Sequence, residues 1–127
     1  MSRPLGVGLL GLGTVGTGVA RVLLGKRDAL ERRIGRPVQI TSVLVRDPSK
    51  PRGVSLEVPL VTDARAILDD PAVDIVVEVI GGEEPARTLI LEAIERGKHV
   101  VTANKEVMAK HGPAILAAAA ARSVSVA

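Results

Sequence analysis

Apolar residues fall into short runs and periodic stretches that alternate along the whole chain. Leu5 to Leu10 (LGVGLL) has the pattern of a short buried strand and runs directly into Gly11-Leu12-Gly13-Thr14-Val15-Gly16. Beyond it, Val15, Val19, Val22 and Leu23 recur at helical spacing, and the pattern resumes through Ala29, Leu30 and Ile34 until Gly35 and Pro37 stop it. Gly25 lies inside this helix at a cost of about 1 kcal/mol relative to Ala, which allows a kink or break there. Val38 to Val45 (VQITSVLV) is rich in β-branched residues and predicts a second strand, and the polar, proline-bearing Arg46 to Gly53 (RDPSKPRG) a loop.

Leu60 to Thr62 predicts a short third strand, with Asp63 capping a brief helix that ends at Leu68 before Asp70-Pro71. Val73 to Val79 (VDIVVEV) is the near-continuous β-branched run of a strand buried on both faces. Gly81-Gly82 turns the chain. Ala86, Leu89, Ile90, Ala93 and Ile94 line one face of a helix with Gly97 placed at its C-terminal end. His99 to Thr102 (HVVT) reads as the fifth strand, Ala103-Asn104-Lys105 as a polar turn, and Pro113 to Arg122 as the last helix. Ser123 to Ala127 (SVSVA) alternates as a strand does and stops without a turn or polar tail, which suggests a cut rather than a natural end. Strands alternating with helices predict one α/β domain over residues 1–127, a doubly wound and mostly parallel sheet with helices on both faces.

Composition narrows the chemistry. The 127 residues include no cysteine and no aromatic residue, so Cys-based zinc sites, iron–sulfur clusters, thiol nucleophiles and aromatic base-stacking surfaces are excluded, and a reducing cytoplasm fits. Seventeen Lys and Arg against fourteen Asp and Glu leave a charge of +3, but the basic residues are scattered rather than massed in a stripe, which argues against nucleic acid. The N-terminus has no signal-peptide pattern, and the longest apolar run, Ala114 to Ala121, falls well short of the ~18 residues of a membrane span, so a soluble protein is expected. His99 and His111 have no ligand-spaced partners, and no metal site is expected.

Gly11, Gly13 and Gly16 form a GxGxxG between a predicted strand and a predicted helix, the context in which this motif binds a dinucleotide. Gly11 serves the tight turn, Gly13 lets a pyrophosphate approach the backbone, and Gly16 lets helix and strand pack closely. The N–H groups from Gly13 to Val15, Thr14 among them, would face the anion at the positive end of the helix dipole. Where an acidic residue would take the ribose 2′-hydroxyl, the second strand ends in Arg46, with Lys50 nearby. A guanidinium suits a 2′-phosphate, so NADP(H) is favoured, while Asp47 leaves NAD(H) open. Without the glycine motif, Arg46, Lys50 and Arg52 would read as a solvated basic loop. Ile80 to Glu84 and Thr102 to Lys105 emerge at the same end of the sheet, where ligands of open α/β folds bind. Lys105 is thereby placed to enter the cleft beside a reacting carbonyl, while a lone lysine after a strand also reads as a surface residue. Glu78, inside an apolar strand, is either a satisfied strand-end polar group or a cleft residue.

Four blocks resemble the nucleotide-binding, Rossmann-type part of homoserine dehydrogenases: Gly8 to Gly16, Val45-Arg46-Asp47 with Ser49-Lys50, Glu78 to Gly82 with Glu84-Pro85-Ala86, and Gly97 to Lys105. The last block is the most specific. The resemblance implies NAD(P)-dependent interconversion of L-homoserine and L-aspartate 4-semialdehyde, on the aspartate-derived route to threonine, methionine and isoleucine. It implies that Gly11, Gly13, Thr14, Val15 and Gly16 hold the pyrophosphate and Arg46 with Lys50 the adenosine ribose. Gly81, Gly82, Thr102, Ala103 and Asn104 would border the nicotinamide, and Lys105 would be the catalytic lysine touching cofactor and substrate. Homoserine dehydrogenases continue into a substrate-binding and dimerising region that is absent here. The chain is therefore expected to bind cofactor without turnover, whereas the full-length enzymes are expected to be cytoplasmic homo-oligomers acting on a small-molecule substrate. The competing readings are another oxidoreductase of this fold, of the aspartate or sugar dehydrogenase type, and a nucleotide-sensing module without catalysis.

Overall fold

The computed structural model describes residues 3–50 and 57–127. Arg52 and Gly53 of the predicted basic loop lie outside the described residues. Among the described residues five parallel strands form one sheet in the order β3-β2-β1-β4-β5. They are β1 (Leu5–Leu10), β2 (Val38–Leu44), β3 (Leu60–Val61), β4 (Ile75–Glu78) and β5 (His99–Thr102). Helices α1 (Thr14–Gly25), α2 (Arg27–Ile34), α3 (Arg65–Leu68), α4 (Ala86–Glu95) and α5 (Lys105–Ala121) connect or follow them.

Alternation along each strand sends successive side chains to opposite faces, and both faces are covered. Val7, Leu9, Ile40, Val43 and Val77 pack under α1 with Ala20. Leu10, Val76 and Val100 pack on the other face with Ile67, Ile90, Ile94, Val107 and Ile115 from α3, α4 and α5. Because β1 leads to β2 on one side and β4 to β5 on the other, the direction of winding reverses between β1 and β4. That is where a doubly wound sheet opens a crevice beyond its strand ends.

The break that Gly25 allows in the first helical pattern is present: Gly25 ends α1, and Lys26 (φ −114°, ψ 31°) separates it from α2, which has no fully buried residue. One element differs from the sequence reading. The last helix begins at Lys105, eight residues before Pro113, so Ala103-Asn104-Lys105 is a helix start rather than a free turn. Asn104 accounts for this: its Oδ1 accepts from the Val107 N–H at 3.0 Å. Val107, Ile115 and Ala119 are buried along the same helix. That burial and cap outweigh the roughly 3 kcal/mol that a proline inside a helix costs. Beyond α5, Val126 forms a single parallel bridge to Val100. The Val100 N–H donates to Ser125 O and the Ala127 N–H to Val100 O, both at 3.0 Å, in keeping with the alternation of Ser123 to Ala127.

Candidate functional site

The glycine loop is fixed by the sheet beneath it. The Gly11 N–H donates to Leu44 O at 3.0 Å, continuing the β1–β2 ladder, and Gly11 then turns with φ 103°. A Cβ on Gly16 would sit 2.6 Å from Gly11 O and 3.0 Å from Val79 Cγ2, so only glycine lets α1 start this close to β1 and β4. Gly13 is different. A Cβ there would meet nothing within 4 Å, so the fold itself does not require glycine at this position. Gly13 is also the N-cap of α1, which carries no side-chain cap bond and no acidic residue in its first turn. The first N–H groups of α1 and the positive end of its dipole are thus left to an external anion.

A cleft of about 990 Å³ opens in front of this helix end. Gly11, Leu12, Gly13 and Thr14 line it from the glycine loop, Arg46, Asp47 and Lys50 from beyond β2, and Val79 and Ile80 from beyond β4. The predicted Gly11, Gly13, Thr14, Arg46 and Lys50 therefore meet in one cavity. Gly16 is buried behind it, and Val15, 54% exposed, is not in its wall. Thr17, Gly18, Arg21, Thr62 and Pro85 also line the cleft and escaped the sequence reading. Thr14, Thr17, Gly18 and Arg21 are spaced three, one and three residues apart, a polar stripe on one face of α1 that could have signalled them. Asp47 faces the cleft with its Oδ1 held by Ser49, which donates its N–H at 2.9 Å and its Oγ hydroxyl at 2.6 Å.

The remaining predicted residues form a shelf beside the cleft, at the carboxyl ends of β4 and β5. Glu78 is fully buried and satisfied: its Oε2 accepts from the N–H groups of Ile80 (2.9 Å) and Gly81 (3.1 Å), and its Oε1 from the Thr102 hydroxyl. Of the two readings left open for Glu78, the satisfied strand-end group is the one found. Thr102 Oγ1 also accepts from the Asn104 N–H at 3.0 Å, and Asn104 Nδ2 donates to Gly82 O. One network thus ties the Gly81-Gly82 turn to the start of α5. Lys105 is exposed and occupies the first position of that helix. A cation is disfavoured at the positive end of a helix dipole, by about 0.3–1 kcal/mol, so helix stability does not explain a lysine there.

Among the described residues no group of three or more His, Asp or Glu side chains is placed to hold a metal ion. The Glu83 carboxyl is held below the ordinary carboxylate range, first by the hydrogen bond with His111 and then by the Lys110 ammonium.

Residues 11–127 match the family described as homoserine dehydrogenase, NAD-binding domain. Homoserine dehydrogenase of Bacillus subtilis (strain 168) is 48% identical over 119 residues, covering 92% of this chain and 27% of that protein. The enzyme of Methylobacillus glycogenes is 52% identical over 108 residues, covering 84% of this chain and 26% of its own length. The crystal structure of a homoserine dehydrogenase from Thiobacillus denitrificans superposes with a TM-score of 0.92 at 49% identity, covering 98% of this chain and 29% of that one. The chain spans about a quarter of the length of the curated relatives it matches. It belongs to the family of homoserine dehydrogenase NAD-binding domains.

Proposed function

We propose that these 127 residues grip a nicotinamide dinucleotide for an enzyme that interconverts L-homoserine and L-aspartate 4-semialdehyde. The observation that carries the reading is Gly13: a glycine that the fold does not need, at an uncapped helix start, lining a cleft that Arg46 and Lys50 also line. The N–H groups of Gly13, Thr14 and Val15 bind the pyrophosphate, Gly11 shaping the turn and Gly16 the packing that aim them. Arg46 and Lys50 take the adenosine ribose. With no aromatic residue in the chain, the adenine lies between aliphatic side chains and a guanidinium.

NADP(H) is the preferred form. The Arg46 fork matches phosphate oxygens, and Asp47, whose Oδ1 is already engaged by Ser49, competes less for a ribose hydroxyl. Arg46→Ala is expected to weaken NADP⁺ binding about tenfold or more while NAD⁺ binding changes little, as two calorimetric titrations would register. Equal loss for both would assign Arg46 to the loop rather than to the 2′-phosphate.

Gly81, Gly82, Thr102, Ala103 and Asn104 border the nicotinamide, which when bound supplies or accepts the hydride at the aldehyde carbon. Lys105 hydrogen-bonds the substrate oxygen and stabilises the charge that develops on it as it gains or loses its proton. Lys105 alone cannot hold and orient an amino acid, so the 127 residues bind cofactor without turnover. Assay of the purified chain with NADPH and the semialdehyde checks this, and turnover near that of a full-length enzyme would overturn it. The whole enzyme, on this reading, is a cytoplasmic homo-oligomer on the aspartate-derived route to threonine, methionine and isoleucine. No helix among the described residues is long and apolar enough to cross a membrane.

A further inference from the structure

The turn between β4 and α4 has little packing of its own. Gly81 and Gly82 adopt φ of 82° and 72°, and a Cβ on either would meet nothing within 4 Å. Its position depends on ties to other elements. Glu78 holds the N–H groups of Ile80 and Gly81, and Asn104 holds Gly82 O. Glu83 adds ties of its own to α5, and in the shortest of them its Oε2 meets His111 Nε2 at 2.6 Å, two turns along α5 from Asn104.

His111 is the stronger of the two partners that α5 offers Glu83. Lys110 Nζ stands 3.4 Å from Glu83 Oε1 and is shared with Glu106 Oε1 at 3.1 Å. The imidazole is also the less exposed group, at 27% against 53% for Lys110, so its bond is less diluted by water. Asn104 and His111 are seven residues apart, nearly two full turns, and so project from one face of α5. Together they clamp both ends of the Gly82-Glu83 step to the helix that Lys105 begins.

We propose that His111 is a positioning residue: by holding Glu83 it sets the Gly81-Gly82 turn against α5, and so fixes the gap between that turn and Lys105 that the nicotinamide half of the dinucleotide enters. The proposal rests on the dinucleotide reading given above. Its signature is selectivity between the two halves of the ligand. The adenosine half is bound by the glycine loop and Arg46, which His111 does not touch, whereas a general loss of folding would weaken both halves alike.

The test is calorimetric titration of the 127-residue chain with NADP⁺ and, separately, with adenosine 2′,5′-bisphosphate, which lacks the nicotinamide. His111→Ala is expected to weaken NADP⁺ about three- to tenfold, the range of one lost hydrogen bond, and to leave the bisphosphate unchanged. His111→Gln, whose amide N–H can donate to Glu83, is expected to recover most of the loss. Should His111→Ala fail to fold, Glu83→Ala removes the same bond from the exposed loop and is expected to show the same split. Unchanged NADP⁺ affinity, or equal weakening of both ligands, would overturn the proposal while leaving the dinucleotide reading intact. Failure of the unmodified chain to bind either ligand would overturn both.

Discussion

Gly13 and Gly16 stand three residues apart at the start of α1, yet different forces select glycine at each. At Gly16 the neighbour is the chain itself, with Gly11 O 2.6 Å from any added Cβ. Gly16→Ala is therefore expected to cost about 1–3 kcal/mol in urea unfolding and to weaken dinucleotide binding through the displaced loop. Gly13→Ala has open space for its methyl group, so the unfolding midpoint should stay within error while NADP⁺ binding weakens. Equal stability losses would show that the fold, and not the ligand, explains both glycines.

Asp74 provides a check away from the site. Burial would raise its carboxyl, but the Gly6 N–H at 2.8 Å and the Arg3 guanidinium outweigh that and hold it below the ordinary carboxylate value. A depressed folded pKa means that stability is present above the unfolded value and is lost as pH falls through the folded one. Asp74→Asn should thus cost about 1 kcal/mol at pH 7, and the difference should shrink as pH falls through the depressed folded pKa, measured by urea unfolding across pH.

Element boundaries were legible where propensity and packing agree and obscure where they conflict. β1 runs from Leu5 to Leu10 and β5 from His99 to Thr102, as their apolar patterns imply. The start of α5 was hidden because Gly112-Pro113 looks locally like a helix entrance. What decides the matter is the Asn104 cap and the burial of Val107 against the core that α4 also joins, which only the folded chain brings together. Asn104→Ala is expected to cost about 1 kcal/mol from the lost cap, read from the chemical-denaturation midpoint, and to release Gly82. Amide hydrogen exchange at residues 80–84 should then quicken, and unchanged exchange would show that the Asn104 tie does not hold the turn.

At the scale of the whole molecule, alternation of strand and helix carried the fold class, because a right-handed crossover leaves few ways to arrange parallel strands. It also placed the three candidate segments at one end of the sheet. It could not show that Thr17, Gly18, Arg21, Thr62 and Pro85 share the cleft, since these come from α1, β3's far end and the start of α4 and become neighbours only on folding. Nor could it show the division between a cleft that holds Arg46 and a shelf that holds Lys105. Two contiguous binding regions on one face, occupied together by a single dinucleotide, are therefore predicted.

A ¹H–¹⁵N correlation NMR titration of the chain with NADP⁺ tests that claim most directly. Saturable one-site shifts are predicted at the amides of Gly13 to Gly16, of Arg46, Asp47, Ser49 and Lys50, and of Gly81 and Gly82. Shifts that fail to saturate, or that fall outside the cleft and the shelf, would contradict it.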